Sequence, residues 1–164
     1  MNPYVVIDIG GTSIKYGLAD AEGQLIETHE MPTEAQKGGP HILKTTKEIV
    51  ARYLKKHALA GVAISSAGMV DPDKGEIFYA GPQIPNYAGT QFKKEIEEAF
   101  QLPCEIENDV NCAGLAEVTT GHAIGSNNAV CLTIGTGIGG CLLLDGQVFH
   151  GFSNSACEVG YLHL

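Results

Sequence analysis

The sequence has no apolar run long enough to span a bilayer, and no basic N-terminal segment leading into an apolar core. These absences argue against a membrane-spanning helix and a secretory leader, so a soluble, cytoplasmic protein is expected. Positive charge is scarce as well: 10 Lys and Arg stand against 19 Asp and Glu, a formal net charge of −9. That balance argues against nucleic acid or an anionic membrane as the main partner. A nucleotide remains admissible, because a local nest of amides and a metal ion can outweigh the global field. Paired cysteine motifs are also missing. Cys104, Cys112, Cys131, Cys141 and Cys157 are odd in number and widely spaced, with no C-x-x-C. They suit neither a disulfide framework nor a zinc ribbon, and most read as buried thiols in a reducing compartment.

What is present is a globular chain of 164 residues, 44% hydrophobic and 18% charged. That length holds one ordinary domain, or one domain plus part of another. Tyr4-Val5-Val6-Ile7 reads as a buried strand that ends at Asp8-Ile9-Gly10-Gly11-Thr12. The chain does not then turn helical, since Ile14-Lys15-Tyr16-Gly17-Leu18-Ala19 is a second strand, so the glycines form a hairpin turn. Paired glycines let backbone N–H groups approach an anion, Thr12 adds a hydroxyl, and Asp8 suits a hydrated divalent cation. An ordinary tight hairpin with Asp8 as a turn residue is the competing reading of this pentapeptide. Lys15 is set aside as a residue pointing along a strand face.

Gln24 to Met31 alternates as a third strand, Pro32 to Pro40 is a polar loop, and residues 41–57 form an amphipathic helix on Ile42, Ile49, Val50, Tyr53 and Leu54. Gly61-Val62-Ala63-Ile64-Ser65 is a buried strand. Asp71-Pro72-Asp73-Lys74-Gly75-Glu76 superficially resembles a calcium loop but lacks the later ligands, so a hairpin turn is expected there. A second helix covers residues 90–100 with Thr90 as its cap, and a strand covers 102–107. Asn108-Asp109 then opens a third helix that runs to about Thr120 and stops at Gly121.

Ala129-Val130-Cys131-Leu132-Thr133-Ile134 is another buried strand, leading into Gly135-Thr136-Gly137-Ile138-Gly139-Gly140. Positions 135, 137 and 140 satisfy G-x-G-x-x-G, but a dinucleotide site needs a helix next, and Cys141-Leu142-Leu143-Leu144 is a strand. An internal comparison succeeds instead. Ile9-Gly10 aligns with Ile134-Gly135, and Glu22-Gly23-Gln24-Leu25 echoes Asp145-Gly146-Gln147-Val148. The same supersecondary unit starts twice, which predicts two related domains, residues 1–122 and 123–164. The second start lies too near the C-terminus to complete a domain, so the chain reads as the N-terminal portion of a longer protein.

A duplicated α/β domain with a glycine hairpin opening each copy resembles the actin-like ATPase superfamily, and the detail resembles the ROK (repressor, open reading frame, kinase) family. Asp8-Ile9-Gly10-Gly11-Thr12 and Gly135-Thr136-Gly137-Ile138-Gly139-Gly140 match its two phosphate motifs. Glu107-Asn108-Asp109-Val110-Asn111 matches its "E-N-D-x-N" segment. Ala67-Gly68 with Val70-Asp71 resembles the "P-G-x-V-D" sugar loop, Ile84-Pro85-Asn86-Tyr87 resembles "L-P-G-W", and Glu158-Val159-Gly160 begins "E-x-G-H". The resemblance implies an α/β, ribonuclease H-like fold with a mixed sheet flanked by helices, plus the start of a second similar domain.

It further implies an ATP-dependent kinase acting on a hexose or hexosamine hydroxyl, commonly the 6-hydroxyl, like a glucokinase or an N-acetylmannosamine kinase. Asp109 would be the general base, and Asn108, Gly68, Asn86 and Glu158 would join it in binding sugar between the domains. Asp8 would hold Mg²⁺ through water, while Gly10, Gly11, Thr12, Gly135, Thr136 and Gly137 would face the ATP phosphates. Competing readings are that Asn108-Asp109 is only a helix cap, that Gly68 serves only the backbone, and that Asn86 serves only a turn. The family pattern is broken at Tyr161, where His is usual, and at Gln83 and Asn86-Tyr87, which replace Asn and Gly-Trp. Zinc is therefore not expected, since His163, Cys157 and His150 fit no compact zinc motif. An altered sugar pocket is expected, and a β-glucoside (disaccharide) kinase is the alternative. A sugar-sensing transcriptional regulator is disfavoured, because a first strand at Tyr4 leaves no room for a preceding helix-turn-helix. The resemblance also implies a homodimer of the full-length form, with sugar and ATP as its small-molecule partners.

Overall fold

Apolar residues at every second position carry the first sheet. In β1 (Tyr4–Ile9), Val5, Ile7 and Ile9 are buried while Val6 and Asp8 on the other face are half-buried. β1 pairs antiparallel with β2 (Ser13–Ala19), which pairs antiparallel with β3 (Leu25–Pro32). The chain then crosses through α1 (Gly39–Leu54), and β4 (Gly61–Ser66) returns parallel to β1. With β7 (Cys104–Asn108) at the far edge, the sheet order is β3-β2-β1-β4-β7. The computed structural model describes residues 2–135 and 137–161.

α1 buries Ile42, Ile49, Val50 and Tyr53, which belong to the same core cluster as the inward residues of β1, β2 and β4. It starts at Gly39 rather than 41 because Pro40 falls in the first turn, where its missing N–H costs nothing. The preceding loop contains a 3-10 turn, Ala35–Lys37. β5 (Met69–Asp71) and β6 (Glu76–Tyr79) form the expected hairpin. The Asp71 carboxylate accepts from the Lys74 backbone at 3.1 Å and ion-pairs with its Nζ at 2.9 Å. Those bonds to Lys74 hold the Asp71 carboxyl below its usual range. α2 (Phe92–Phe100) buries Phe92 and Ile96, and its Glu95 pairs with Lys47 of α1 at 2.6 Å. Thr90 is not its cap: the Thr90 hydroxyl donates to the Tyr87 carbonyl at 2.6 Å, and Gln91 takes the N-cap position without a side-chain bond.

Residues 1–107 and 108–164 form two compact units. The second contains α3 (Asp109–Thr119) and an antiparallel meander of β8 (Ala129–Ile134), β9 (Ile138–Leu144) and β10 (Gln147–Val148), in the order β10-β9-β8. This repeats the β3-β2-β1 order of the first unit. α3, which the sequence reading put in the first domain, packs on β8 and β9 of the second unit. Gly114 permits that approach, since a side chain there would meet Cys141 Sγ and Leu143. Val130, Leu132, Ile134 and Ile138 lie exposed on the other face. The five cysteines are unoxidised thiols; Cys104 and Cys141 are fully buried and the other three half-buried, and burial pushes the Cys104 thiol up to about 12. Among the described residues, no helix is long and apolar enough to cross a membrane.

Candidate functional site

The first cluster forms where β1 ends. Asp8 is half-buried, and Ser65 of β4, its parallel neighbour, donates to Asp8 Oδ1 at 2.8 Å. Lys15 of β2 is directly opposite Asp8 on the other side, and directly paired residues share a face of the sheet. Lys15 therefore stands beside Asp8, which its sequence neighbours alone do not reveal. In the turn that follows, Gly10 N–H donates to the Ser13 carbonyl at 3.0 Å. A side chain at Gly10 would approach that carbonyl to 3.1 Å, whereas nothing lies near the place a side chain at Gly11 would occupy. Gly10 thus serves the turn, and Gly11 keeps one side of it open. A hydrated divalent cation needs one well-placed carboxylate rather than a ligand cluster, and Asp8 fits that role. Among the described residues, no group of three or more His, Cys, Asp or Glu is gathered for a metal ion.

Gly68 and Asn86 lie elsewhere in the same unit, and each has a backbone duty. Gly68 has φ +93°, and a side chain there would approach the Tyr79 carbonyl to 3.0 Å. Asn86 is exposed with φ +53°, a conformation that Asn tolerates better than most residues. It lines a polar cleft of about 290 Å³ with Pro40, Leu43, Thr90 and Gln91. Its loop is tied down on both sides. Gly39 N–H donates to the Pro85 carbonyl at 2.9 Å, and Tyr87, only 1% exposed, shares a 2.6 Å hydroxyl bond with Ser66. Tyr87 thus fills its site with a ring and anchors it with a polar tip.

In the second unit, Asn108 and Asp109 divide the work at the start of α3. Asn108 is the N-cap: its Oδ1 accepts from Val110 N at 2.9 Å and from Asn111 N at 3.1 Å. Its Nδ2 donates to Asp109 Oδ1 at 2.9 Å, the same oxygen accepts from Val110 N at 2.9 Å, and Asp109 is exposed in the first turn. Glu158 is half-buried; burial, and secondarily the Asp109 charge, push its carboxyl above the usual range.

The glycine-rich turn of this unit separates into two functions. Nothing lies near a side chain placed at Gly135 or Gly137, and Gly135 N–H donates to the Gly137 carbonyl at 2.9 Å. Gly139 and Gly140 are packing glycines, since side chains there would run into Val110 and the Cys157 carbonyl. Thr136, His163 and the side chain of Tyr161 lie outside the described residues. Ser65 and Lys15, with Ser66 and Thr33, are polar residues that sequence reasoning passed over or, for Lys15, set aside. Strand register was the one signal that could have exposed the first two, because it is set by the apolar alternation of β1, β2 and β4.

A model of the ROK family matches residues 4–164. The chain belongs to the ROK family. An uncharacterized protein of Clostridium perfringens is 54% identical over 99% of this chain and 55% of its own length. The β-glucoside kinase of Klebsiella pneumoniae is 36% identical over 94% of this chain and 50% of its own. The structure of a ROK family glucokinase from Streptomyces griseus, in complex with glucose and AMPPNP, matches with a TM-score of 0.86 and 30% identity. That match covers 99% of this chain and 51% of the other. The α/β architecture is thus the actin-like ATPase fold of the ROK sugar kinases, and the chain spans about half the length of the curated relatives it matches.

Proposed function

We propose that this chain carries the phosphate- and sugar-binding machinery of an ATP-dependent kinase for a hexose or hexosamine hydroxyl, the 6-hydroxyl by preference. One observation carries the reading. Asn108 is the N-cap of α3 and orients Asp109, whose carboxylate stands exposed beside the perturbed carboxyl of Glu158. Asp109 would accept the proton of the attacking sugar hydroxyl as its oxygen bonds to the γ-phosphorus and the bond to the ADP oxygen breaks. The Asn108 amide and the Glu158 carboxylate would hold neighbouring hydroxyls, with Gly68 and Asn86 completing the sugar contacts. The glycine turns at Gly10, Gly11 and Thr12, and at Gly135, Thr136 and Gly137, would face the phosphates. Asp8, oriented by Ser65, would hold Mg²⁺ through water. When bound, that ion supplies neutralisation of the charge on the transferring phosphoryl group.

A homodimer of the full-length form and a cytoplasmic location complete the proposal. Similarity to both a glucokinase and a β-glucoside kinase keeps a disaccharide acceptor in view. The test is ADP release by the full-length protein across a panel of glucose, N-acetylmannosamine, N-acetylglucosamine and cellobiose. Turnover is expected on at least one. Asp109→Asn should lower kcat by a factor of about 10²–10⁴ while leaving the sugar Kd nearly unchanged. An absence of turnover throughout the panel would refute the kinase reading.

A further inference from the structure

Thr33 follows the last residue of β3, a strand otherwise exposed along almost its whole length, yet Thr33 itself is only 1% exposed. A hydroxyl buried at the end of so open a strand needs a partner, because an unpaired one is costly. Its partner is the first glycine turn. The Thr33 hydroxyl donates to the Gly10 carbonyl at 2.6 Å, and the Thr33 N–H donates to the Thr12 carbonyl at 3.0 Å. One residue therefore holds two carbonyls of a three-residue turn.

The direction of those bonds matters more than their number. In a planar trans peptide the carbonyl of one residue and the N–H of the next point opposite ways. Drawing the Gly10 carbonyl onto Thr33 turns the Gly11 N–H away from it, and drawing the Thr12 carbonyl does the same for Ser13. The Gly11 side of the turn is also the one with nothing near its absent side chain. We infer that Thr33 is a positioning residue for nucleotide phosphate: it fixes the peptide planes that aim the Gly11 and Ser13 N–H groups. The inference rests on the kinase reading above, since it is that reading that places phosphate at this turn.

The experiment uses the full-length protein and two readouts: the KM for ATP at saturating sugar, and the affinity for AMPPNP by calorimetry without sugar. Thr33→Val keeps the shape and the N–H but removes the hydroxyl. It should raise both the KM for ATP and the Kd for AMPPNP by about 10-fold, the scale of one lost hydrogen bond. The KM for sugar should stay within about 2-fold, and Thr33→Ser should restore nucleotide binding to within about 3-fold. A merely structural role would lower thermal stability while leaving nucleotide and sugar constants untouched, or weaken both together; either result overturns the inference. If Thr33→Val does not fold, Thr33→Ser decides, because loss of AMPPNP affinity despite a retained hydroxyl contradicts the assignment. Should the wild-type protein phosphorylate no sugar, the kinase reading fails, while the AMPPNP measurement still judges Thr33.

Discussion

Two effects act in one direction on Glu158: burial disfavours its charged form, and the Asp109 carboxylate adds repulsion. Its carboxyl therefore keeps its proton above the ordinary value of 4.5. Between that value and the raised one, the folded chain holds a proton that the unfolded chain has released. Folding stability should then decline as pH rises through the window. Hydroxyl binding by the carboxylate should follow the opposite course and strengthen over the same window. Glu158→Gln should flatten both slopes, measured by urea denaturation and by sugar affinity from about pH 4.5 to about pH 7. A wild-type stability that rises across that window would contradict the buried setting of Glu158. Residue types and spacing made Glu158, Asp109 and Asn108 legible as candidates. They could not say that Asn108 would be the N-cap, accepting from both Val110 N and Asn111 N, while Asp109 shares the first of these donors.

At the scale of elements, most strands and helices follow the apolar periodicity of the sequence. What periodicity misses is how a loop docks on the start of α1. Gly39 lies against the carbonyl of Asn86 and the hydroxyl of Thr90, and its N–H holds the Pro85 carbonyl. No local pattern announces such a contact, because its two sides are far apart in the chain. Gly39→Ala should therefore destabilise the fold by about 1–3 kcal/mol, since a side chain there would displace backbone rather than a flexible side-chain end. It should also raise the KM for sugar, because the loop bearing Asn86 must move. Thermal unfolding and steady-state kinetics on the full-length protein check both effects, and an unchanged KM for sugar would detach Asn86 from the sugar site. The two glycine turns make a related point. They align in sequence, yet β1–β2 closes on Ile9 and Ile14 whereas β8–β9 closes one residue sooner, on Ile134 and Ile138.

At the scale of the molecule, the two units are unequally packed. The main core cluster lies wholly in the first unit, from Val5 to Ile106. In the second, Cys141 and Leu143 are the fully buried apolar side chains among the described residues, and one face of the sheet is exposed. Local opening should follow that difference. Amides of β8 and β9 in this 164-residue chain should exchange with an opening free energy lower by about 2 kcal/mol or more than those of β1, β2 and β4. Native-state hydrogen exchange read by mass spectrometry checks this, and equal protection in both sheets would contradict the packing argument.

By itself the sequence determined the alternation of buried and open positions in β1, β2 and β4, the two glycine turns, and the Asn-Asp start of α3. These depend on neighbours within a few residues, where backbone sterics and side-chain periodicity act directly. Only the tertiary structure decided which glycines serve an open turn and which serve packing, that α3 lies on the second sheet, and that Thr33 and Ser65 hold the Gly10 turn and Asp8. Those outcomes depend on which distant groups must satisfy each other's hydrogen bonds once both are buried, and that is settled when the elements pack.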